Sequence, residues 1–482
     1  MSSPRTRRPR RTLPALAALT VTLVLTAAGT AAASGGGAAP ARTSPAATSV
    51  NASSTAPAPV GPAAPPSALQ RRPFTAHASC SPLPAAARAR VRSAVTGCVS
   101  VGSAAGTASV KAPATAKAVA ALAAAPDTAA DDPVTDDPDG VDTQFEPDAD
   151  DPEPPPPSCV IANPGQWTWS RTGGLCLNGA LVTYTLYDEN AKPVGTGLLR
   201  VDSTLATSYK SLDLNETIAV TVLDLTGEVT SLGVKMEVSC GAGCTTKTKQ
   251  PWLGTPNLLK GQEKTGVTVY NGGAFASGAT RTSFQTSYRM YVLMPGTVPL
   301  DPDATWSSPA TGKIRCDMEQ PRLRGCVIPT ADPPVLSYSR SNPKYGIAVP
   351  AYERIMQLRG TDELHAINQT QAGLNRAATC TPFTNLYPGQ RGLDSCDEFP
   401  FASTTEGGQD GTLCAELTPQ VSPSGVWSAP ATWPTRPATG TETCLRLHIT
   451  QSANSSAGGV LGSLRKYQRL VDNDPFRIEF TA

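Results

Sequence analysis

The chain has 482 residues, twelve cysteines and a formal net charge of +1 at neutral pH. A near-neutral protein cannot attract a polyanion by bulk positive charge, so a few placed arginines or a metal ion would have to hold a nucleic-acid partner. The length exceeds that of one ordinary domain and predicts several domains.

The first 33 residues have the layout of an export signal. Five arginines precede an apolar core, Leu13 to Ala27, and small residues follow this core. The order is typical of a cleaved secretory signal peptide, and the core is short and alanine-rich for a membrane span. We therefore predict a signal peptide at residues 1–33 and a secreted, extracellular protein without stable membrane insertion. The alternative is an uncleaved membrane anchor.

The twelve cysteines of an exported chain predict disulfide bonds. They fall into six couples that are local in sequence: Cys80 and Cys98, Cys159 and Cys176, Cys240 and Cys244, Cys316 and Cys326, Cys380 and Cys396, and Cys414 and Cys444. We expect one disulfide within each couple. The spacing in CGAGC is one residue too long for a redox motif, which favours a tight-loop disulfide there.

Residues 34–158 are rich in Ala, Pro, Ser and Thr and then become acidic. Between Asp127 and Glu153 there are twelve acidic residues and no Lys or Arg. Such a composition cannot bury a core large enough to offset the entropy of ordering the chain. We predict that residues 34–158 are a disordered spacer.

Short β-branched runs separated by turn residues fill residues 159–325. Examples are GALVTYTLYD, TIAVTVLDL and SYRMYVLMP. Many such runs at short spacing predict an all-β, sandwich-like module, with Trp167, Trp169 and Trp252 in its core. This stretch has no cluster of acids, histidines or free cysteines that indicates chemistry, so we interpret it as a structural or binding module of unknown ligand.

Residues 326–482 mix helical and strand patterns and predict an α+β domain. TDELHAINQTQAGLNRAA predicts a helix capped by Thr361, with Leu364, Ile367, Leu374 and Ala378 on one face. Further along, the patterns predict a strand at residues 445–450, a helix from Ser456 and a final strand at FRIEF.

The stretch SCDEFPFASTTEGG concentrates three acids, Asp397, Glu398 and Glu406, around a short apolar run. Together with Asn454 they offer carboxylate and amide oxygens, which are the ligands that Mg²⁺ and Mn²⁺ prefer. Three acids in so short a stretch are also compatible with a solvated strand and turn. Successive strand residues face opposite ways, so we do not expect Asp397 and Glu398 in the same site.

The C-terminal part of the chain resembles the NucA/NucB family of secreted bacterial deoxyribonucleases. The resemblance rests, in order, on the segment of His365 followed by LNRAATC, on SCDEFPFASTTEGG, and on NSSAGGVLGSLRKYQRLVDNDPFRIEF. It implies a NucA/NucB-like deoxyribonuclease domain at residues 326–482. The implied activity is that of a metal-dependent, largely sequence-nonspecific endonuclease, a hydrolase acting on DNA phosphodiester bonds with Mg²⁺ or Mn²⁺. A ββα-metal-type core is the plan we expect by analogy.

The resemblance also implies roles for individual residues. We expect Asp397 as general base or metal ligand, Glu406 as metal ligand, Glu398 as a further catalytic acid, His365 as a catalytic candidate, Arg376 as a phosphate-binding residue, and Asn454 as a metal ligand or phosphate-binding residue. Each residue has a structural alternative. Asn454 would suit a helix cap, Arg376 a surface ion pair, and His365 a packing role.

Two other functions compete with this interpretation. The chain has Ser455, Ser456 and Ala457 where relatives commonly carry a Gln or Arg, which favours a secreted, non-catalytic binding or wall-associated protein with a degenerate nuclease domain. A glycan hydrolase with paired carboxylates is the second alternative, although no aromatic sugar platform accompanies the acids. We expect a monomer, and the sequence does not separate RNA from DNA as substrate.

Overall fold

The computed structural model describes residues 70–73, 96–102, 165–320, 323–330, 332–387, 389, 392–421, 427–428 and 439–482. All of them belong to one compact unit that begins at residue 64. The predicted signal peptide and most of the predicted spacer lie outside the described residues. Within the described part, no helix combines the length and the apolar character that a membrane span requires.

The β-rich region comes first in the chain, and the C-terminal region contains the helices. The strands of the β-rich region are β1 (Gln70–Pro73), β2 (Thr96–Gly102), β3 (Gln166–Ser170), β4 (Gly174–Tyr187), β5 (Pro193–Leu205), β6 (Asp213–Gly227), β7 (Leu232–Cys240), β8 (Thr245–Thr246), β9 (Asn257–Leu258), β10 (Glu263–Asn271), β11 (Arg281–Phe284), β12 (Thr286–Leu293), β13 (Val298–Asp301), β14 (Asp303–Ser307), β15 (Ile314–Gln320) and β16 (Leu323–Val327). The C-terminal region contains β17 (Val335–Ser339), α1 (Val349–Arg359), β18 (Glu363–His365), α2 (Gln369–Cys380), β19 (Ser395–Phe399), β20 (Ala415–Leu417), β21 (Gln420–Val421), β22 (Trp427–Ser428), β23 (Leu445–Ile449), α3 (Gln451–Tyr467) and β24 (Pro475–Thr481).

The large sheet of the β-rich region is curled into a half-barrel, with strand order β1-β3-β4-β5-β6-β10-β8. Buried and half-buried positions alternate along β5, as the two faces of a strand require. Smaller sheets, β14-β12-β7-β9 and β11-β15-β16, complete the region. Trp167, Trp169 and Trp252 are buried in the core as predicted.

Two segments of the predicted spacer belong to this half-barrel. Strand β2 pairs with β4 over seven residue pairs, from Thr96 with Tyr187 to Gly102 with Leu181, and β1 pairs with β3. The expectation of disorder is therefore corrected for residues 70–73 and 96–102. The run TGCVSVG is short, so the Ala- and Pro-rich average of the surrounding stretch conceals its strand pattern.

The predicted helix at TDELHAINQTQAGLNRAA is wrong in its first part. Residues 363–365 form β18, which pairs with β24 near the C-terminus, and the helix begins only at Gln369. Asn368 rather than Thr361 is its N-cap and accepts a hydrogen bond from the Gln371 backbone N–H at 2.9 Å. A strand partner more than a hundred positions away is not visible in local periodicity, which explains the error.

The predicted strands near the C-terminus are confirmed as β23 and β24. Helix α3 starts earlier than predicted, at Gln451, because Thr450 caps it and accepts from the Ala453 backbone N–H. Asn454 therefore lies inside the first helical turn and is not the N-cap.

Four of the predicted disulfides are present. They join Cys240 to Cys244, Cys316 to Cys326, Cys380 to Cys396 and Cys414 to Cys444. Cys98 and Cys176 are also disulfide-bonded, while positions 80 and 159 lie outside the described residues. The Cys380–Cys396 bond ties the end of α2 to the start of the acidic motif.

Candidate active site

The acidic motif begins on β19, the edge strand of the sheet β19-β23-β20. Opposite β19, Leu447 pairs with Asp397 and Arg446 pairs with Glu398. One face of this sheet is apolar and packs into the core that includes α1 and α3. The other face carries charged side chains. Asp397 is on the apolar face and Glu398 on the charged face, as the alternation of strand residues predicts.

Asp397 is a buried acid in an aromatic environment. The residue is 5% exposed, and its Oδ2 atom accepts a hydrogen bond of 2.5 Å from the hydroxyl of Tyr352 on α1. The Tyr352 ring in turn stacks on Phe399 at 4.9 Å between centroids. Burial raises the pKa of Asp397 to about 8, and the charge of Glu398 adds to the increase, while the Tyr352 hydrogen bond and Arg376 oppose it.

Glu398 forms an ion pair with Arg376 of α2. The Arg376 Nε atom lies 3.2 Å from Oε1 of Glu398, and the arginine side chain is 36% exposed whereas the glutamate is buried. Burial raises the pKa of Glu398 and Arg376 counteracts this effect. Among the described residues, the group of three His, Cys, Asp or Glu ligand atoms within 4.8 Å of one another is Cys380, Cys396 and Glu398. Its two sulfurs are joined in a disulfide and do not supply metal ligands.

Glu406 lies in the turn after β19 and pairs with His365 of β18. Its Oε1 is 2.8 Å from the His365 Nδ1 atom, and its Oε2 accepts the His365 backbone N–H at 3.0 Å. The backbone N–H of Thr405 donates to the His365 carbonyl at 2.8 Å. These contacts fix the imidazole against the turn, while the side chain remains 39% exposed.

The turn that contains Glu406 is held by Asn375, whose structural role the sequence did not reveal. The Asn375 amide donates to the carbonyls of Ala402 and Thr404, each at 3.0 Å. Gly408 has a φ of +75°, and a Cβ atom there would stand 2.4 Å from the Asn375 Oδ1. Gly408, the second glycine of the EGG sequence, is thus required both by its backbone conformation and by the close approach of Asn375.

Asn454 lies next to β19 on the face that carries Asp397. Its Nδ2 atom donates to the hydroxyl of Ser395 at 3.2 Å and to the carbonyl of Cys396 at 3.0 Å. Ser395 is two residues before Asp397, so the two side chains share a face of the strand. Both donations use the amide nitrogen, which leaves the Oδ1 atom as the group that can bind a cation.

The charged face of the sheet contains a buried network that the sequence did not predict. His448 lies 3.0 Å from Asp394 through Nδ1 and 3.1 Å from Glu416 through Nε2. Arg446 donates to the other oxygen of Glu416 at 2.5 Å. Carboxylates thus face both ring nitrogens of the imidazole. The alternation of Arg446 and His448 with apolar residues in LRLHIT was the sequence signal that could have indicated a polar face here.

The structure therefore brings the predicted site residues together in three places. Arg376 contacts Glu398, His365 contacts Glu406, and Asn454 contacts the backbone beside Asp397. No hydrogen bond or ion pair among the described residues joins Asp397 to Glu406.

A comparison with known protein families finds a match in the C-terminal region. Residues 344–424 match the deoxyribonuclease NucA/NucB family. The matched stretch contains α1, β18, α2 and β19, together with the turn that carries Glu406, and it ends before α3. No curated protein shows significant similarity to the chain. The C-terminal part of this protein therefore contains a domain of the NucA/NucB deoxyribonuclease family.

Proposed function

We propose that the C-terminal domain is a metal-dependent, largely sequence-nonspecific endonuclease that hydrolyses DNA phosphodiester bonds outside the cell. The observation that carries the proposal is the buried acid Asp397, which lies inside the stretch that matches a deoxyribonuclease family. The disulfides among the described residues support an oxidising, extracellular location.

The chain order around Asp397 supports a ββα-metal-type core. Strand β19 pairs antiparallel with β23, and α3 follows β23 almost directly. Asp397 lies on β19, and Asn454 lies in the first turn of α3. Both side chains are on the same face of β19. A reactive carboxylate and a cation ligand would thereby lie on the same side of the sheet. This likeness is an analogy of plan and carries less weight than the residues themselves.

The chemistry of the donors suits a hard divalent cation. Asp397 and Asn454 offer oxygen ligands, as Mg²⁺ and Mn²⁺ prefer. Arg376 pairs with Glu398, and burial raises the pKa of Asp397, so a cation beside Asp397 would offset the negative charge that this carboxyl gains when it loses its proton. When bound, the cation would supply Lewis-acid stabilisation of the charge that develops on the phosphate.

The side chains would then divide the remaining work. Ionised Asp397 accepts the proton of the attacking water as general base. Arg376 reaches the surface beside Glu398 and can face a phosphate oxygen with its planar guanidinium. Glu406 remains the proposed third ligand, because a carboxylate oxygen that accepts from His365 retains a second lone pair. His365 is the proposed proton donor at the exposed side of the site.

A non-catalytic binding or wall-associated protein is the second candidate. The near-complete burial of Asp397 favours it, because a general base has to reach water next to the substrate. A substrate panel separates the two functions. The purified full chain is incubated with plasmid DNA, RNA and polysaccharide in Mg²⁺, in Mn²⁺ and in EDTA. Metal-dependent nicking of plasmid supports the nuclease, whereas binding of DNA without cleavage in either metal supports the second candidate.

A further inference from the structure

The segment between α3 and β24, residues 468–474, forms hydrogen bonds with the β-rich region. Arg469 is completely buried. Its guanidinium binds the side chain of Asp317 on β15, donates to the Asp317 carbonyl at 2.9 Å, and donates to the Tyr209 carbonyl at 2.5 Å. A charged residue of the C-terminal region is thus satisfied by acceptors of the β-rich region.

Two arginines of the β-rich region reach in the opposite direction. Arg171 donates to Asp474 at 2.6 Å, and Arg315 donates to both oxygens of the same carboxylate at 2.7 and 2.8 Å. Arg315 also donates to the Arg469 carbonyl at 2.6 Å. The pKa of Asp474 lies below its ordinary value, because the hydrogen bond from Arg315 and the nearby arginine charges outweigh the effect of burial.

Each region thus supplies an arginine that pairs with a carboxylate of the other region. Such ion pairs are not expected if the two regions are joined only by a flexible link. Removing one partner from a buried ion pair leaves an uncompensated charge, which is strongly unfavourable. Further contacts surround the network. The rings of Tyr209 and Tyr467 meet edge to face at 5.1 Å, and Gln320 donates to the Arg465 carbonyl. The β-rich region therefore holds the end of α3 and the segment after it.

Residues 468–474 in turn hold the strand that carries His365. The Asn473 backbone N–H donates to the Ala366 carbonyl at 2.8 Å, and the Ala366 N–H donates to the Asp474 carbonyl at 3.0 Å. Arg465, in the last turn of α3, donates to the Ile367 carbonyl at 2.6 Å. Ala366 directly follows His365, so hydrogen bonds connect the β-rich region, through residues 468–474, to the residue next to the His365–Glu406 pair.

We propose that the β-rich region is a fixed scaffold of the active site, in which Arg171 and Arg315 are positioning residues for the His365–Glu406 pair. They act through Asp474 and the backbone pairing at Ala366. A role of this scaffold in catalysis rests on the proposed nuclease function, whereas the positioning of His365 does not.

The test uses the histidine ring resonances of the full chain, which has three histidines in all. Arg315→Gln and Arg171→Gln each weaken the hold on Asp474. Arg289→Gln is the matched control, because Arg289 also pairs with an aspartate, Asp303 at 2.5 Å, but is 57% exposed. We expect the His365 resonances in both test variants to move towards those of Glu406→Gln, and those of the control to stay.

If wild type cuts DNA, we also expect kcat to fall by up to on the order of 100-fold in the test variants, with KM little changed. Unchanged His365 resonances in a folded Arg171→Gln or Arg315→Gln protein would overturn the proposal, whether or not DNA is cut. Shifted resonances in a protein that cuts no DNA would support the scaffold and reject the nuclease. If Arg315→Gln does not fold, Arg171→Gln decides, since it leaves the donors of Arg315 in place.

Discussion

The hydrogen bond from Tyr352 to Asp397 makes a quantitative prediction about the pH dependence of cleavage. Tyr352→Phe removes the hydroxyl that donates to Asp397 at 2.5 Å, and the lost bond is one that favours the ionised carboxylate. A buried hydrogen bond to a charged group contributes about 1.5–3 kcal/mol, and about 1.4 kcal/mol corresponds to one pKa unit. We therefore expect the pKa of Asp397 to rise by about one to two units.

The assay is the pH profile of kcat/KM for plasmid nicking at a fixed metal concentration. The rate rises with pH as Asp397 loses its proton, so the rising part of the profile should move to higher pH in the variant. Tyr338→Phe is the control, because Tyr338 is equally buried in the same aromatic cluster but donates to the Ala457 carbonyl at 2.7 Å. Equal profiles for Tyr352→Phe and Tyr338→Phe would refute Asp397 as the base.

Three predictions concern stability, measured by denaturant unfolding of the full chain. His448→Leu leaves the buried carboxylates of Asp394 and Glu416 without the imidazole that lies between them and should cost about 3–5 kcal/mol. Glu216→Gln should stabilise the protein at pH 7. Burial raises the pKa of Glu216 above its ordinary value of 4.5, so ionising this group costs more in the folded state than in the unfolded chain, and stability falls as pH rises above that value. Gly408→Ala should destabilise far more than Gly278→Ala, because both have positive φ but only the former clashes with Asn375.

A specific outcome would contradict each of these three stability predictions. A loss below about 1 kcal/mol in His448→Leu would place that histidine in the range of exposed pairs. A benefit of Glu216→Gln that persists below the ordinary glutamate pKa would mean that ionisation is not its source. Similar costs for the two glycine variants would show that the turn adapts to a methyl group at position 408.

The acidic motif was the part of the site that could be predicted from the sequence. Strand alternation was enough to assign Asp397 and Glu398 to opposite faces, because the side-chain period of a strand is fixed by its backbone. Four disulfides followed from the local spacing of their cysteines. The strands at residues 445–449 and 475–481 followed from alternation.

The features that the sequence did not predict depend on contacts between distant residues. Leu364 suits a helix face by spacing, but pairing with the last strand places it on β18. Asn454 suited a helix cap until Thr450, four residues earlier, was found to fill that role. The charges of Arg469 and Asp317 are far apart in sequence, and nothing local to either one indicates that they meet inside the protein.

The most direct test of the central claim compares wild type with Asp397→Asn in the full chain. Plasmid nicking in Mg²⁺, in Mn²⁺ and in EDTA is measured beside thermal unfolding, with Asp362→Asn as the control, since Asp362 is an exposed acid paired with Arg477. We expect metal-dependent nicking that is lost in Asp397→Asn and kept in the control. Because Asp397 is a buried acid with a raised pKa, the inactive variant should unfold at a temperature no lower than that of wild type. Nicking that survives in folded Asp397→Asn, or its absence from folded wild type in both metals, would contradict the claim.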